Sequence, residues 1–593
     1  MSIKPMSEVA AALGLTDDLI EPFGRHTAKI RLDALERFPT RRGKLILVTA
    51  ITPTTSGEGK TVNTIGLAQG LAARGHSAVA ALREPSLGPV FGQKGGATGG
   101  GRASLFPVDT INLHFTGDFH AITSAHNLLA ALLDAHLHFG NALGIDPREI
   151  LWPRAMDMND RALRRLVTGL GGRDAGPARE TGFVITAASE IMAILALSQS
   201  RADLRRRLGE IVVAFNTEGR PVTAADLKAV GPLMVLLNDA IMPNLVQTTE
   251  GVPAIVHGGP FANIAHGTSS VLAQRLGLHL ADYVVNETGF AADLGAEKFF
   301  DLVMPMCGHV PSAAVVIVTL KALRAQGGDP QGPVSAGFPN LERHLANLRR
   351  WGVPAVIALN RFAADTDSDL DAVLAHCRAL GAEAALSEGY LKGGPGMTDL
   401  ADRVVAAAAT SDPAAVSPIY GPEVPLMEKI RTVATQVYGA AAVAFKPAAR
   451  QRLERFAALG RPAAGLHRQD AVFLHGRSEG DGGTGRVDAH HQRCDPVCRR
   501  RFRGRHCRRD DAHARPGEDA AGPPPRRRRR GPRDRDGVLS PGRFRTVPFV
   551  MGAKEEACPS TSCCCTTAVP SRPTSARRRS RPSSSATSPG ARR

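Results

Sequence analysis

The segment at residues 52–61 (TPTTSGEGKT) carries the residue types best suited to chemistry. It follows an apolar run at 45–51 and precedes a helix pattern at 62–73, so it forms a turn between a strand and a helix. Glycines there let backbone N–H groups converge on an anion, and the helix N-terminus adds partial positive charge. The usual spacing G-x-x-x-x-G-K-[ST] requires glycine at Thr54, so one position fails while the Gly-Lys-Thr core holds. The segment therefore predicts phosphate binding, and an ordinary structural turn is the alternative.

Arg83 follows the second predicted strand, residues 77–82. If that strand neighbours the strand before the phosphate loop, the guanidinium emerges beside the terminal phosphate, where it can grip two oxygens and neutralise charge. The alternative is a surface arginine at a strand end. The glycine-rich run at 94–101 is by itself weak support, because such runs are often flexible linkers.

Two clusters of possible metal ligands are less informative. His114, His120 and His126 are each six residues apart, which fits neither a helical pair nor a zinc pattern, so structural or substrate-orienting histidines are the favoured interpretation. The acidic residues Asp293 and Glu297 either reach Mg²⁺ or cap a helix, and both interpretations stay open.

The elements that must position these residues are short apolar runs with helix patterns between several of them. This alternation predicts an α/β fold with a doubly wound, mainly parallel sheet of the P-loop NTPase type, whose ligands lie beyond the carboxyl ends of the strands. A polar helical lead-in is predicted for residues 1–41. The predicted strands are 44–51, 77–82, 210–215, 254–257, 313–319 and 353–359.

Composition divides the chain near residue 463. Of the 73 Lys and Arg and the 56 Asp and Glu residues, 29 basic and 13 acidic residues lie in 464–593, giving +16 there and +1 before it. All but one of the 29 are arginine, and aromatic residues for stacking on bases are sparse, so the basic tail is a poor nucleic-acid binder. We predict a P-loop domain with insertions at 1–360, a second, smaller α/β domain at 361–463, and a disordered or non-native tail.

The tail resembles a coding sequence read in the wrong frame. If the last two bases of each codon are joined to the first base of the next, suitable synonymous codons across 463–475 spell Leu-Pro-Val-Cys-Ile-Ala-Lys-Thr-Gln-Tyr-Ser-Phe, and 497–503 and 513–521 also give sensible text. We infer a frameshift near residues 460–463. The DNA sequence across codons 455–470 decides this, because an intact frame relative to close relatives would disprove it.

Cysteine usage and hydropathy bear on location. Only Cys307 and Cys377 precede the compositional break, which is typical of a reduced, cytosolic protein. No signal segment is evident, and no apolar run approaches the roughly 20 residues that span a membrane. A cytoplasmic protein without a membrane partner is therefore expected.

Long segments of the chain resemble the formate–tetrahydrofolate ligase (10-formyltetrahydrofolate synthetase) family. The similarity covers essentially residues 1–463, and the recoded tail is similar to the family's C-terminal region as well. The segments that carry the resemblance are 83–101, 112–127, 188–192, 257–267 (HGGPFANIAHG) and 289–299 (GFAADLGAEKF).

The resemblance implies ATP-dependent formylation of tetrahydrofolate at N10 through formyl phosphate. Lys60 would contact the phosphates, Thr61 would hold Mg²⁺, and Arg83 would stabilise formyl phosphate, which makes Lys60 and Arg83 the expected catalytic residues. Activation by a monovalent cation and a homotetramer are further expectations from the family. The residues expected to bind ATP are Thr54, Thr55, Ser56, Gly57, Glu58, Gly59, Lys60 and Thr61.

The family's folate site maps onto two aromatic residues, Phe362 and Tyr390, whose flat faces would enclose a pterin ring. The family usually has tryptophan where this chain has Tyr390, and tyrosine where Arg102 follows the triple glycine. The first departure reduces the stacking area, and the second places a charge near the substrate cleft. Two other functions stay open: a catalytically impaired nucleotide-binding remnant of the family, and a nucleic-acid-associated protein acting through its basic tail.

Overall fold

The computed structural model describes residues 3–51, 57–92, 95–262 and 265–457, and the backbone of two short strands beyond them. The described strands, in chain order, are β1 (Ile20–Pro22), β2 (Ala28–Ile30), β3 (Lys44–Ala50), β4 (Ala78–Leu82), β5 (Gly99–Gly100), β6 (Ala103–Phe106), β7 (Ile145–Ile150), β8 (Arg154–Met156), β9 (Leu166–Thr168), β10 (Arg179–Thr181), β11 (Phe183–Ile185), β12 (Val212–Asn216), β13 (Pro221–Thr223), β14 (Asn244–Thr248), β15 (Pro253–Val256), β16 (Tyr283–Glu287), β17 (Pro311–Val318), β18 (Ala355–Asn360), β19 (Glu383–Ser387), β20 (Ala442–Phe445), β21 (Leu474–Gly476) and β22 (Arg486–Ala489).

The α-helices of the same residues range from 4 residues in α2 to 21 in α6. They are α1 (Met6–Ala11), α2 (Ala34–Arg37), α3 (Lys60–Ala73), α4 (Leu87–Val90), α5 (Val108–Asn112), α6 (Asp118–His138), α7 (Glu190–Leu197), α8 (Arg201–Gly209), α9 (Val230–Leu236), α10 (Val271–Leu280), α11 (Met304–Cys307), α12 (Leu320–Gln326), α13 (Phe338–Arg350), α14 (Asp367–Ala379), α15 (Gly389–Lys392), α16 (Thr398–Ala409), α17 (Leu426–Thr432) and α18 (Pro447–Ala457).

Twelve of the described strands form one large sheet. Its main path runs β1-β2-β14-β15-β4-β16-β3-β17-β18-β19, with β6 pairing β14 and β5 pairing β6. The seven strands from β15 to β19 along this path are all parallel. The predicted mixed α/β fold with a large, mostly parallel sheet is therefore confirmed.

Both faces of this sheet are buried, as its apolar strands require. Along β3, Leu45 and Leu47 pack on one face with residues of α10, α12 and α13. Ile46 and Val48 pack on the other face with residues of α3 and α16. A strand buried on both sides reads as a continuous apolar run, which is why β3 was predictable.

A third hydrophobic core lies in the region between β6 and β14. It is built from α6 to α9 with β7 and β12. The run at 210–215 does form a strand, but β12 pairs antiparallel with β7 and β13 in a small separate sheet, so its predicted place in parallel βαβ units is wrong. A short apolar run does not show which strand it will pair with, because that pairing depends on residues far away in the chain.

The predicted helical lead-in at residues 1–41 is also wrong. Within residues 3–41, only α1 and α2 are α-helical, and β1 and β2 join the large sheet through β14. Ile30 and Ala28 are fully buried against that sheet, so tertiary packing overrides the local helix preference.

The large sheet continues across residue 360, since β19 pairs with β18. The predicted boundary between residues 360 and 361 therefore falls within one sheet and stays a prediction. In the predicted tail, β21 and β22 are described, and β22 pairs with β20. The rest of 464–593 lies outside the described residues.

Helix α3 is held close to the segment that follows α15. A Cβ at position 70 would lie 2.8 Å from the Cβ of Met397 and 2.9 Å from its carbonyl oxygen. Gly66, one helical turn earlier, also faces Met397. Glycine at these positions thus brings the helix that begins at the phosphate loop against the segment that carries Tyr390.

We expect Gly70→Ala to lower the midpoint of thermal unfolding. Alanine favours a helix interior by about 1 kcal/mol over glycine, but overpacking against backbone costs about 1–3 kcal/mol. The matched control is Gly231→Ala in α9, where a Cβ meets nothing within 4 Å. Differential scanning calorimetry of both variants checks this, and an unchanged or raised midpoint for Gly70→Ala would contradict the packing argument.

Candidate functional site

Three neighbouring strand ends bring the candidate residues together. In the sheet, β16 lies between β4 and β3, so the strand that leads to Arg83 is not adjacent to the strand that leads to the phosphate loop. The neighbour relation on which the prediction for Arg83 depended is therefore wrong. Instead, the last residue of β16, Glu287, stands between the two.

The described part of the phosphate loop is anchored on one side. Gly59 has a φ of 74°, a conformation that glycine adopts without strain, and α3 begins at the next residue. Glu58 is buried, and its carboxylate accepts a hydrogen bond from Thr319 Oγ1 at 3.0 Å. Asn360 Nδ2 donates to the Glu58 carbonyl at 3.2 Å. The ends of β17 and β18 thus hold the loop, and Glu58 is placed to shape it through its side chain.

The start of α3 has the features of an anion site. Gly57 also has a positive φ, of 78°, and Lys60 and Thr61 form the first turn of a 14-residue helix whose N-terminus carries partial positive charge. Three of the predicted ATP-binding residues, Thr54, Thr55 and Ser56, lie outside the described residues.

Glu287 joins this helix to Arg83. Thr61 Oγ1 donates to Glu287 Oε2 at 2.5 Å, and Arg83 Nη2 donates to Glu287 Oε1 at 2.6 Å. Sequence reasoning missed Glu287, although an acidic residue at the end of the apolar run at 283–285 was the available signal.

The pKa of the Glu287 carboxyl lies below its ordinary value. Burial opposes its ionisation, but the charge of Arg83 and the hydrogen bonds from Thr61 and Arg83 outweigh this, and the charge of Lys60 acts in the same direction. Glu287 is therefore ionised at neutral pH. Its buried negative charge is compensated by the two predicted catalytic residues, Arg83 and Lys60.

A second group of charges acts on Glu84, the residue after Arg83. Lys29 and Asp118 form a fully buried ion pair at 2.8 Å, and Lys29 also donates to Asn244 Oδ1 at 2.9 Å. Burial, reinforced by the negative charge of Asp118, raises the pKa of Glu84 well above its ordinary value, although Lys29 opposes the shift. Glu84 directly follows Arg83, so burial disfavours a second negative charge at the residue next to the arginine.

The histidines of the 112–127 segment differ in their surroundings. His126 is buried and bonded on both ring nitrogens, to Ser189 Oγ at 2.8 Å and to the Pro153 carbonyl at 3.0 Å. His114 and His120 are exposed. In the described part of the chain, no group of three or more His, Cys, Asp and Glu side chains is arranged to hold a metal ion.

The two open interpretations of Asp293 and Glu297 are not resolved by their placement. Glu297 is buried, and burial together with the charge of Asp301 raises its pKa well above the ordinary value, while Lys298 opposes the shift. Asp293 is half-buried in a π-helical turn at Ala292–Ala296. Burial disfavours the charged form of Glu297, so of the two carboxyls the half-buried Asp293 is the better suited to a cation.

The predicted folate residues lie at the ends of β18 and β19. Phe362 and Tyr390 are both about half exposed, with 47% and 54% of their surface accessible. The two segments are joined by the Arg361 N–H, which donates to the Ser387 carbonyl at 3.1 Å. Two aromatic faces thus stand open to solvent at the same edge of the sheet as Glu287.

Arg102 lies against the Tyr390 segment. Its backbone N–H donates to the Tyr390 carbonyl at 2.9 Å, and its own carbonyl accepts from Gln69 at 3.1 Å and from Thr249 at 2.6 Å. A Cβ at Gly101 would lie 2.1 Å from the Tyr390 carbonyl oxygen, so the triple glycine permits this approach. The backbone of Arg102 is thus fixed while its side chain is exposed beside the tyrosine.

Known proteins of one family match this chain. The family model for formate–tetrahydrofolate ligase matches residues 1–465. A relative named formate–tetrahydrofolate ligase from Methylobacterium sp. (strain 4-46) is 52% identical over 467 residues, which cover 77% of this chain and 83% of the relative. A relative of the same name from Maricaulis maris (strain MCS10) is 52% identical over 468 residues, covering 77% and 84%.

The fold and site define an α/β protein whose polar groups gather beyond the carboxyl ends of parallel strands, where such folds bind their ligands. The match to the family model and to the two relatives then identifies the family. The chain belongs to the formate–tetrahydrofolate ligase family, and it is a ligase by that membership. The predicted resemblance is confirmed, and the family match ends at residue 465, close to the compositional break. None of the described helices combines the length and apolar character that crossing a bilayer requires.

His257 allows a test of the electrostatics beneath the site. Its ring is buried and bonded to Ser270 Oγ at 2.6 Å and to the Ala240 carbonyl at 2.7 Å. Burial lowers its pKa to about 4, although the charge of Asp118 opposes the shift. The native ring stays neutral where the unfolded chain takes up a proton, so stability is lost as pH falls from about 6.5 to about 4.

We therefore expect His257→Gln to flatten the pH dependence of stability in this window. The contribution of His257 to the free energy of unfolding should fall by about 3 kcal/mol between pH 6.5 and pH 4. The glutamine variant should not show this fall. Urea unfolding of both proteins from pH 7 to pH 4.5 measures the difference. Parallel curves for the two proteins would contradict the assignment.

Proposed function

We propose that this chain ligates formate to tetrahydrofolate at the expense of ATP, giving 10-formyltetrahydrofolate, ADP and phosphate. The observation that carries the proposal is the meeting of Thr61 and Arg83 on Glu287, directly beside the phosphate loop. The names of the relatives supply formate and tetrahydrofolate as substrates. The glycine loop and the start of α3 supply a site for the phosphates, which is the reason to regard the fold as P-loop NTPase-type.

The chemistry requires activation of formate, because a carboxylate anion resists attack by an amine. An oxygen of formate attacks the γ-phosphorus of ATP, the bond from that phosphorus to the ADP oxygen breaks, and formyl phosphate forms. N10 of the folate then attacks the formyl carbon and loses its proton, and inorganic phosphate leaves. Arg83 would neutralise charge on the transferred phosphoryl group, and Lys60 would contact the phosphates in both states.

The residues present suit Mg²⁺, which would neutralise phosphate charge when bound. Thr61 supplies a hydroxyl and Glu287 an ionised carboxylate, both of the oxygen type that this cation prefers. Thr61 is the residue we propose to hold it. Activation by a monovalent cation, a homotetrameric assembly and a cytoplasmic location stay predictions from the family resemblance.

The folate would bind between Phe362 and Tyr390. Both rings are open to solvent at the carboxyl edge of the sheet, and a pterin between two aromatic faces buries apolar area with little loss of side-chain freedom. The proposed architecture keeps the nucleotide residues in 1–360 and these folate residues in 361–463.

A second candidate function is a nucleotide-binding remnant of the same family. The matched region ends at residue 465 and covers 83–84% of the two relatives, so about a sixth of each has no similar counterpart here. Purified protein assayed for ADP release that depends on both formate and tetrahydrofolate separates the candidates. Retained ATP binding without turnover would favour the remnant.

We expect Arg83→Ala to lower the rate of formate-dependent ADP release about 10²-fold or more, because it removes a charge aligned with the transferred phosphoryl group. The control is Arg148→Ala, whose side chain is 88% exposed and pairs only with Asp146 in the ion pairs of the described residues. Steady-state kinetics with varied formate measures the effect. An unaffected rate would remove Arg83 from the mechanism.

Tyr390→Ala should raise the KM for tetrahydrofolate about fivefold, since loss of an aromatic face removes roughly 1 kcal/mol of stacking, while the KM for ATP stays within twofold. Tyr390→Trp should lower the folate KM. Phe139→Ala is the matched control, because Phe139 is 83% exposed at the end of α6. Equal KM values for tetrahydrofolate in all four proteins would count against this folate site.

A further inference from the structure

Glu287 accepts one hydrogen bond on each carboxylate oxygen, from two residues 22 positions apart in the chain. Oε2 accepts from Thr61 at 2.5 Å and Oε1 from Arg83 at 2.6 Å. Only 6% of its side chain is exposed, so water competes little for either oxygen. Because each oxygen has one hydrogen-bond partner among the described residues, a change at one donor alters the charge and position available to the other.

We propose that Glu287 is a positioning residue that couples the nucleotide site at Thr61 to the formate site at Arg83. The assignments of the nucleotide to Thr61 and of formate to Arg83 rest on the function proposed above. The coupling itself rests only on the geometry of the three side chains.

The backbone makes this coupling rigid. Glu287 is paired in register with Val48 of β3, and the preceding residue, Asn286, is paired with Ala81 of β4. β3 leads to the phosphate loop, and β4 ends one residue before Arg83. The carboxylate therefore stands on the strand that separates the two sites, and its Cα is fixed by ladders on both sides.

The charges of Arg83 and Glu287 make each side chain sensitive to a change in the other. Arg83 is about three-quarters buried, and its one ion pair among the described residues is with Glu287; its Nη1 is 3.5 Å from the Pro260 carbonyl. Its Nε is buried without a hydrogen-bond partner in the described chain. Removing either member of a buried pair leaves the other charge uncompensated, so the partner shifts or attracts another ligand.

Glutamine is the informative substitute for Glu287. It has nearly the same shape, but it is neutral, and its amide nitrogen only donates, so the hydrogen bond with Thr61 must reverse if the oxygen still accepts from Arg83. Glu287→Gln thus retains the volume and removes the charge that the two donors share.

The test is a double-mutant cycle on the binding of ADP with Mg²⁺, measured by titration calorimetry without formate or folate. ADP lacks the γ-phosphoryl group that Arg83 would contact, and any direct effect of the Arg83 charge on ADP persists in a Glu287→Gln background, so the cycle isolates the part that passes through Glu287. We expect Arg83→Ala to weaken ADP binding at least threefold, because it leaves the Glu287 charge uncompensated near the phosphates. In a Glu287→Gln background the same substitution should change the dissociation constant by less than 1.5-fold.

A remote carboxylate provides the matched control. Asp134 bridges two arginines, to Arg154 at 2.6 Å and to Arg179 at 2.5 Å, in the region between β6 and β14. Asp134→Asn and Arg154→Ala remove comparable charges and should leave ADP binding within 1.5-fold of wild type. Thermal unfolding midpoints of all variants show which of them are folded at the temperature of the titration.

Two results would overturn the coupling. One is wild-type ADP affinity in Arg83→Ala. The other is a double variant whose change in the ADP dissociation constant equals the product of the changes in the two single variants. If Glu287→Gln does not fold, the first result alone decides, because the Arg83→Ala measurement does not need it. Formate- and tetrahydrofolate-dependent turnover is measured separately. Its absence together with a non-additive cycle would reject the proposed reaction and retain the coupling.

Discussion

The hydrogen-bonded register of three parallel strands determines where the polar groups of the site stand. Val285 in the middle strand is paired with Ile46 on one side and with Ala80 on the other. Both faces of these strands are buried, so a slip of one residue would move apolar side chains to the wrong core on each face. The ends of the strands are consequently fixed, and Glu287 and Arg83 meet without any loop having to bring them together.

This constraint explains which parts of the site could be predicted from sequence. The Gly-Lys-Thr core at 59–61 and Arg83 after its strand are local signals, because each can be recognised from a few neighbouring residues in the sequence. The order of strands in the sheet is not local. β16 is a five-residue strand with three apolar residues before Asn286, and even where such a run is recognised as a strand, its place between β3 and β4 is not encoded near it.

The buried charges under the site show a second limit of sequence reasoning. Lys29 lies in a segment that looked like a helical lead-in, yet its ammonium group is fully buried and paired with Asp118 at the start of α6. Such a pair is tolerable only when each charge is closely compensated, here with help from Asn244. Since the partners are about 90 and 215 positions from the lysine, no periodic pattern near it reveals them.

The tail bears on activity separately from the geometry of this site. The described groups that hold residues 57–61, Arg83 and the folate segment in place all precede residue 398. Their mutual hydrogen bonds are short-range interactions that do not depend on the charge of residues 464–593. With a frameshift in the gene, the contacts of Thr61, Glu287 and Arg83 would still be determined by the register of the sheet. If the native C-terminal sequence is required for turnover, we therefore expect this chain to bind nucleotide without completing the reaction.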